Sequence, residues 1–442
     1  SPNLDACAAQ GVSFKNFFSL YNGTYKSFFS ILGGRHIFLQ DFEHYPSQRE
    51  MKFFFDTGGI LLPEILQKEG YKTYCLIKIF GWQKKGFDYY LEQDSIEASK
   101  KWGLIRSLKK APGIYNFSKY LLHNTHLVPG RIENRIRYNN HAERITNEGI
   151  DIIKKNKEKD FFLWLHYDDA HGPHVFPYNL RKKFTPDKKS KKESEKIFEV
   201  ISPKKGYHKE AVEFLKGCWK YDETLEGFIA KYDTAIFYDD SLVGKIIDAL
   251  KEEDLLKDTI VFLFADHATN FCEHAACLTN AGLFDIGFHI PLIILGKEIP
   301  KNKKIEALGQ LKDLAPTVLD LAGIKYDPLS FDGKSLLPLL TGKEKEIRES
   351  IILEEHISGM KRRAIRTKKY KYVECPNKEL AVHKLCNTTH GPLTALYDLE
   401  KDPEENVNIA DDNKEILNEM KLKLDKTLRN LKTLNEKRKI QK

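Results

Sequence analysis

The chain has 442 residues, 41% hydrophobic and 12% aromatic, which is enough apolar side chain for a large core and excludes a disordered chain. Its 71 Lys and Arg against 63 Asp and Glu leave a charge of +8, much of it in "DKKSKKESEK" and "NEKRKIQK". Such a dilute excess reads as solvated surface, so no nucleic-acid partner is expected. The longest apolar runs, "FFLWL", "TIVFLFA" and "PLIIL", fall far short of a bilayer span, so no membrane segment is expected in this chain.

In chain order, "KSFFSILGG" has helical spacing and a Gly33-Gly34 stop. The helical period "LLPEILQKEG" leads into an apolar strand at 74–79. "AERITNEGIDIIKKNKE" leads into a strand at 161–167, and "TAIFYDDSLVGKIIDALKEEDLL" into one at 259–265, with a further strand at 291–295. Between them, 180–210 is charged and poorly periodic and reads as an exposed excursion. After Gly342, "ESIILEEH", "RAIRTKKYKYVEC" and "ALYDLEKDP" read as short strands of a small antiparallel sheet. Ile416, Met420, Leu424, Leu428 and Leu431 then form one stripe of an amphipathic helix that packs on a core. The expected fold is α/β: a mostly parallel central sheet flanked by helices over 1–342, and a small C-terminal antiparallel sheet with a helix over 343–442.

Parallel sheets bind ligands beyond the carboxyl ends of their strands. The 161–167 strand runs into Asp168, Asp169 and His171, and the 259–265 strand into Asp266 and His267, so both are expected to present these groups at one sheet edge. An Asp beside a His offers oxygen and nitrogen to a divalent ion, and His274 follows in the same loop. The alternative is an Asp that caps a turn beside a hydrogen-bonded His. His171 suits proton transfer to a leaving group near neutral pH, or belongs to a satisfied polar loop. Thr24 stands before a helix, where an anion is favoured, yet local chemistry alone reads it as an N-cap. The seven cysteines form no CxxC pair, which argues against a zinc ribbon or a fully paired disulfide framework.

Twelve segments in order, among them "SPNLDACAAQGVSFKNFFS", "SFFSILGGR", "FLWLHYDDAHGPH", "FADHATNFCEH", "DLAPTVLDLAG" and "ALYDLEKDPEENVNIAD", resemble the sulfatase family of the alkaline-phosphatase superfamily. The resemblance covers almost the whole chain. It implies a nucleophile at Thr24, metal ligation by Asp266 and His267 together with Thr24, and an anion-contacting lysine at Lys78. His171 aligns with a histidine near the ester oxygen and His274 with one that follows the metal pair. Lys26, Asp169 and His289 are the expected substrate-binding groups, and His289 resembles the His-x-Pro of phosphoethanolamine transferases.

Members that use a formylglycine carry C/S-x-P-x-R, whereas this chain has Thr24-Tyr25-Lys26-Ser27-Phe28. A threonine cannot become an aldehyde, so no formylglycine is expected. The run resembles the threonine branch, which includes phosphonate and phosphodiester hydrolases and phosphoethanolamine transferases. The implied function is a metal-dependent hydrolase (Ca, Mn or Zn) of small anionic sulfate, phosphate or phosphonate esters, with phosphorus favoured. The alternatives are a phosphoethanolamine-type transferase and a non-catalytic anion-binding relative. Relatives begin with a strand ending in acidic metal ligands, which here is expected upstream of Ser1, as is any signal peptide or anchor.

Overall fold

The computed structural model describes residues 1–36, 54–77, 84–92, 141–172, 174, 176–180, 182–184, 225–271, 273–275, 281–355, 360–383 and 388–440. Its strands are β1 (Gly11–Phe18), β2 (Lys72–Ile77), β3 (Tyr89–Glu92), β4 (Phe161–Leu165), β5 (Ile260–Phe264), β6 (Leu292–Gly296) and β7 (Lys303–Gln310). They are followed by β8 (Ile351–Glu355), β9 (Arg362–Arg366), β10 (Tyr370–Glu374), β11 (Val382–His383), β12 (Thr388–Thr389) and β13 (Thr394–Asp398). Two compact units result, one of Ser1–Leu4, Tyr71–Ser190 and Lys216–Leu255, the other of Asp5–Gly70, Lys191–Leu215 and Leu256–Lys442.

In the first unit the sheet order is β3-β2-β4 and both pairings are parallel. The helix His141–Lys155 buries Ile145, Gly149 and Ile152 on one stripe, as its spacing predicts. Ile145 and Ile152 pack with Leu76 of β2. Gly149 lets the backbone approach, because a Cβ there would lie 3.1 Å from Leu165 and 3.4 Å from Ile246. The helix Leu225–Glu252 begins earlier than its periodic core at 234 suggests. Its Asp240 accepts from the backbone N–H of Asn3 (3.2 Å) and Leu4 (2.8 Å), a carboxylate at the start of the helix Pro2–Gln10, where the dipole favours it.

In the second unit the order is β5-β6-β1-β7, with β1 parallel to β7 and the other two pairings antiparallel. The helices Thr24–Gly33 and Leu314–Leu321 pack together on this unit. The C-terminal sheet, β13-β10-β9-β8, is antiparallel throughout. Its strands alternate strictly: Ile351, Leu353, Ala364, Val373, Ala395 and Tyr397 face Phe18 and Leu308, whereas Ile352, Ile365, Tyr372 and Leu396 face the helix Lys414–Ile440. That helix seats Met420 and Leu424 in the core, with Ile416, Leu428 and Leu431 alongside.

The architecture is thus the expected α/β sheet with flanking helices and a small antiparallel sheet, with two corrections of detail. Among the described residues β4 belongs to the sheet of the first unit and β5 to that of the second, so Asp168, Asp169 and His171 follow a strand of one sheet and Asp266 and His267 a strand of the other. Each strand pairs on one flank only among the described residues, and both are half-buried. Strands β1 and β7 carry no plain sequence signal. In β1 the register shifts between Phe14 and Asn16, so Lys15 and Asn16 interrupt the alternation. Lys78 and most of 180–210 lie outside the described residues.

Leu424 is fully buried between the terminal helix and the sheet. Leu424→Ala should therefore destabilise the protein by about 2–5 kcal/mol, read from urea unfolding midpoints.

Candidate active site

Strand β1 ends at Phe18, and five residues later the helix Thr24–Gly33 begins with Gly23 as its N-cap, in extended conformation (φ −165°, ψ 142°). Thr24 is therefore the first helical residue and not the cap, and no side chain caps this helix. The helix ends as predicted, with Gly34 left-handed (φ 59°) and its N–H on the Ser30 carbonyl.

Freed from capping, the Thr24 hydroxyl lies 3.2 Å from Nε2 of His267. The other ring nitrogen of His267, Nδ1, lies 2.9 Å from the Ala268 carbonyl, which can only accept. Nδ1 therefore carries the proton, and in the neutral ring Nε2 presents its lone pair. Thr24 Oγ1–H donates to it. An Asp266 carboxylate oxygen stands 3.7 Å from the same Nε2, and both side chains are mostly buried. Hydroxyl, imidazole nitrogen and carboxylate oxygen thus converge at the end of β5. This donor set fits part of the shell of Ca, Mn or Zn. Among the described residues no group of three or more His, Cys, Asp or Glu side chains is placed to hold a metal.

Lys26 is buried, with its charge acting on Glu354. His274 has a left-handed backbone (φ 54°), and its ring stacks on Phe284 with centroids 3.7 Å apart. Burial lowers its pKa, against a hydrogen bond to the Glu404 backbone. His289 lies over Phe18 at 5.0 Å, with Nε2 2.6 Å from the Lys15 carbonyl. His171 and Asp169 belong to the first unit. His171 is exposed and its Nδ1 lies 2.8 Å from the Gly172 carbonyl. Asp169 is buried and, after desolvation, its charge is a main cause of the strongly raised Asp239 carboxyl.

Two buried charge clusters escaped the sequence reading. Beneath the Thr24 helix, Glu354 is pushed up to about 8 by burial, while Arg363, Lys26, Tyr21 and Lys312 pull it down. Lys312, lowered to about 8 by burial and by Arg348, sits 2.7 Å from Nε2 of His36. His36 is held well below its usual range by burial and the same two cations, so it is neutral and accepts from the ammonium. The second cluster centres on Asp285. A lone acid inside "GLFDIGFHIPL" and a lone lysine inside "GQLKDLAPT" were the available signals.

Fold and site together define a protein of the alkaline-phosphatase-like α/β class. Residues 1–324 match the sulfatase family model and 280–433 the model for the C-terminal region of N-sulphoglucosamine sulphohydrolase, and the chain belongs to the sulfatase family. It is 34% identical to chicken (Gallus gallus) arylsulfatase K over 181 residues, 39% of this chain and 31% of that protein. Against mouse (Mus musculus) arylsulfatase K it is 32% identical over 223 residues, 48% of this chain and 38% of that protein. The chain thus spans about a third of the length of the curated relatives it matches. Among solved structures it is similar to a phosphonate monoester hydrolase from Silicibacter pomeroyi (TM-score 0.67, 19% identity, 97% of this chain and 90% of that one). It is also similar to BT4656, solved with its substrate D-glucosamine-2-N,6-O-disulfate (TM-score 0.62, 17% identity, 98% and 93%).

Glu354 gives a pH test of the buried cluster. An unfolded Glu releases its proton near 4.5, whereas the folded group keeps it to about 8. Between those values the folded state binds more protons, so stability falls as pH rises. Glu354→Gln has no proton to release, and its Tm advantage over the parent should widen between about pH 5 and 8. A gap that stays constant in calorimetry would show that Glu354 is ionised in the fold.

Proposed function

We propose that this protein is an ester hydrolase with Thr24 as nucleophile, acting on anionic phosphate, phosphonate or sulfate esters, phosphorus esters foremost. The observation that carries this reading is the Thr24 Oγ1 contact with His267 Nε2, whose tautomer is fixed by the Ala268 carbonyl. In this reading residues 1–342 carry the chemistry and 343–442 support it.

Oγ1 attacks phosphorus in line and its proton is released to solvent. The bond to the ester oxygen breaks, and the leaving group departs with a proton. For that proton the family resemblance supplies His274, in the same unit as Thr24, as donor. The backbone N–H groups of the first turn, with the positive end of the helix dipole, stabilise the equatorial oxygens. Water then attacks phosphorus, the bond to Oγ1 breaks, and Thr24 recovers its proton. Asp266, His267 and Thr24 would hold a divalent cation, which when bound lowers the pKa of the hydroxyl.

Threonine favours phosphorus for a chemical reason. A phosphothreonine can be attacked again at phosphorus, whereas sulfate release in formylglycine enzymes relies on collapse of an aldehyde hydrate that threonine cannot form. Similarity to arylsulfatase K, and to BT4656 with its D-glucosamine-2-N,6-O-disulfate, keeps sulfate esters in the substrate panel.

Protein supplied with Mn²⁺ should hydrolyse p-nitrophenyl phenylphosphonate or bis(p-nitrophenyl) phosphate faster than p-nitrophenyl sulfate. Thr24→Ala should reduce kcat more than about 1,000-fold while Thr24→Ser retains most of it. Undiminished turnover in Thr24→Ala would refute the nucleophile. His267→Ala should lower bound metal in elemental analysis as well as kcat, which tests the cation site separately.

A further inference from the structure

The loop that carries His267 leans on a neighbouring segment. Ala268 N–H donates to the Gly287 carbonyl at 3.3 Å, and the Asn270 side-chain amide donates to the Ala281 carbonyl. Both contacts make the segment 281–290 the support for the imidazole. That segment is in turn held from beneath by the C-terminal sheet. Gly282 N–H donates to Glu355 of β8, itself paired with Arg362 of β9.

The main anchor is Asp285. Its Oδ2 accepts from Arg366 Nε of β9 at 2.7 Å and its Oδ1 from Lys371 Nζ of β10 at 2.9 Å. Its backbone N–H donates to Glu405, which also pairs with Lys371 at 2.7 Å. Burial pushes the Asp285 carboxyl up, but Lys371 and Arg366 outweigh it and hold the group at about 2. The carboxylate therefore stays ionised across the physiological range. The same turn returns toward β1: Ser19 N–H reaches the Phe288 carbonyl at 2.8 Å, and Ile290 N–H the Phe17 carbonyl at 2.9 Å. The strand that feeds the Thr24 helix and the loop that carries His267 thus share one support.

We infer that Asp285 is a positioning residue for His267: its clamp between Arg366 and Lys371 sets the Gly287 carbonyl, which fixes Ala268, whose carbonyl selects the Nδ1–H tautomer. The inference deepens the nucleophile reading and rests on it only for its consequence in turnover. A buried ion pair used this way gives orientation, since hydrophobic replacements of such groups often preserve stability.

The test is Asp285→Asn in the full chain, read by two measurements. In ¹⁵N-histidine NMR, with the His267 signal identified by its loss in His267→Ala, the parent should show one Nδ1-protonated form. The variant should show a mixed or shifted tautomer. Turnover of p-nitrophenyl phenylphosphonate should fall about 10–100-fold in kcat with KM nearly unchanged, and the loss should vanish in a His267→Ala background. A folded variant with an unaltered His267 signal overturns the inference, whatever the turnover. A tautomer change in the variant, with a parent that hydrolyses none of the substrates, would instead leave Asp285 in place and refute the nucleophile. Should Asp285→Asn fail to fold, Arg366→Lys keeps the charge but loses the Nε donor and decides by the same signal, with no change overturning the inference.

Discussion

The larger unit depends on one strand, β1, being clasped on both flanks. It pairs with β6 in antiparallel register from Gly11 to Phe14 and with β7 in parallel register along its length. Val12, Phe17 and Phe18 are fully buried as a result. The clasp admits no extra atoms at its upstream end, where a Cβ on Gly11 would lie 2.2 Å from the Ile294 carbonyl oxygen. Interiors packed this densely transmit position. Because β1 cannot slide, Ser19 to Gly23 emerge at a fixed place, and Thr24 falls at the first turn of a helix.

A second constraint acts from the other side. The C-terminal sheet presents an apolar face to Phe18 and Leu308, and into that face it sets Arg362, Arg366 and Lys371, each almost entirely buried. Every one finds a carboxylate: Glu355, Asp285, or Asp285 with Glu405. Burying charge is costly, and complete pairing is what makes it tolerable. The arrangement has a geometric product that an apolar interface lacks. An ion pair with hydrogen bonds sets directions, so the segment 281–290 is fixed in orientation as well as in depth. Arg366 adds a contact of its own, its guanidinium 4.4 Å over the Phe18 ring at the end of β1. Strand and loop are tied at that point.

How far the sequence discloses this varies with the length scale of the cause. Local periodicity exposes the helix His141–Lys155, strands β2, β4, β5 and β6 and the C-terminal sheet, because burial on one stripe or face leaves a repeat. It misses β1, whose bulge at Lys15 breaks the repeat, and β7, which opens on Lys303 and Lys304. In β7 Lys303 points its ammonium at the carbonyls of Leu339 and Leu340, a long-range use that no local window can reveal. The trio of Thr24, Asp266 and His267 was legible through family resemblance and strand-end logic, since each stands at the end of an element. Asp285, Lys312 and Glu354 were not, since most of their partners lie tens to hundreds of residues away in the chain.

The choice between capping residue and nucleophile at Thr24 shows why local chemistry is insufficient there. A threonine at a helix start is ordinarily an N-cap, its oxygen turned back on the backbone. That reading requires the residue one position before the first helical one, and here Gly23 holds that position in an extended conformation. The single-residue offset turns the hydroxyl away from the helix it begins and toward His267. In the proposed reaction it also removes a competing hydrogen bond that would make the oxygen a poorer attacker. A glycine at the cap costs a helix only a few tenths of a kcal/mol relative to a hydroxyl-bearing cap. That small sacrifice leaves the Thr24 hydroxyl to the imidazole, and so the position of Gly23 matters to the proposed chemistry as much as the identity of Thr24.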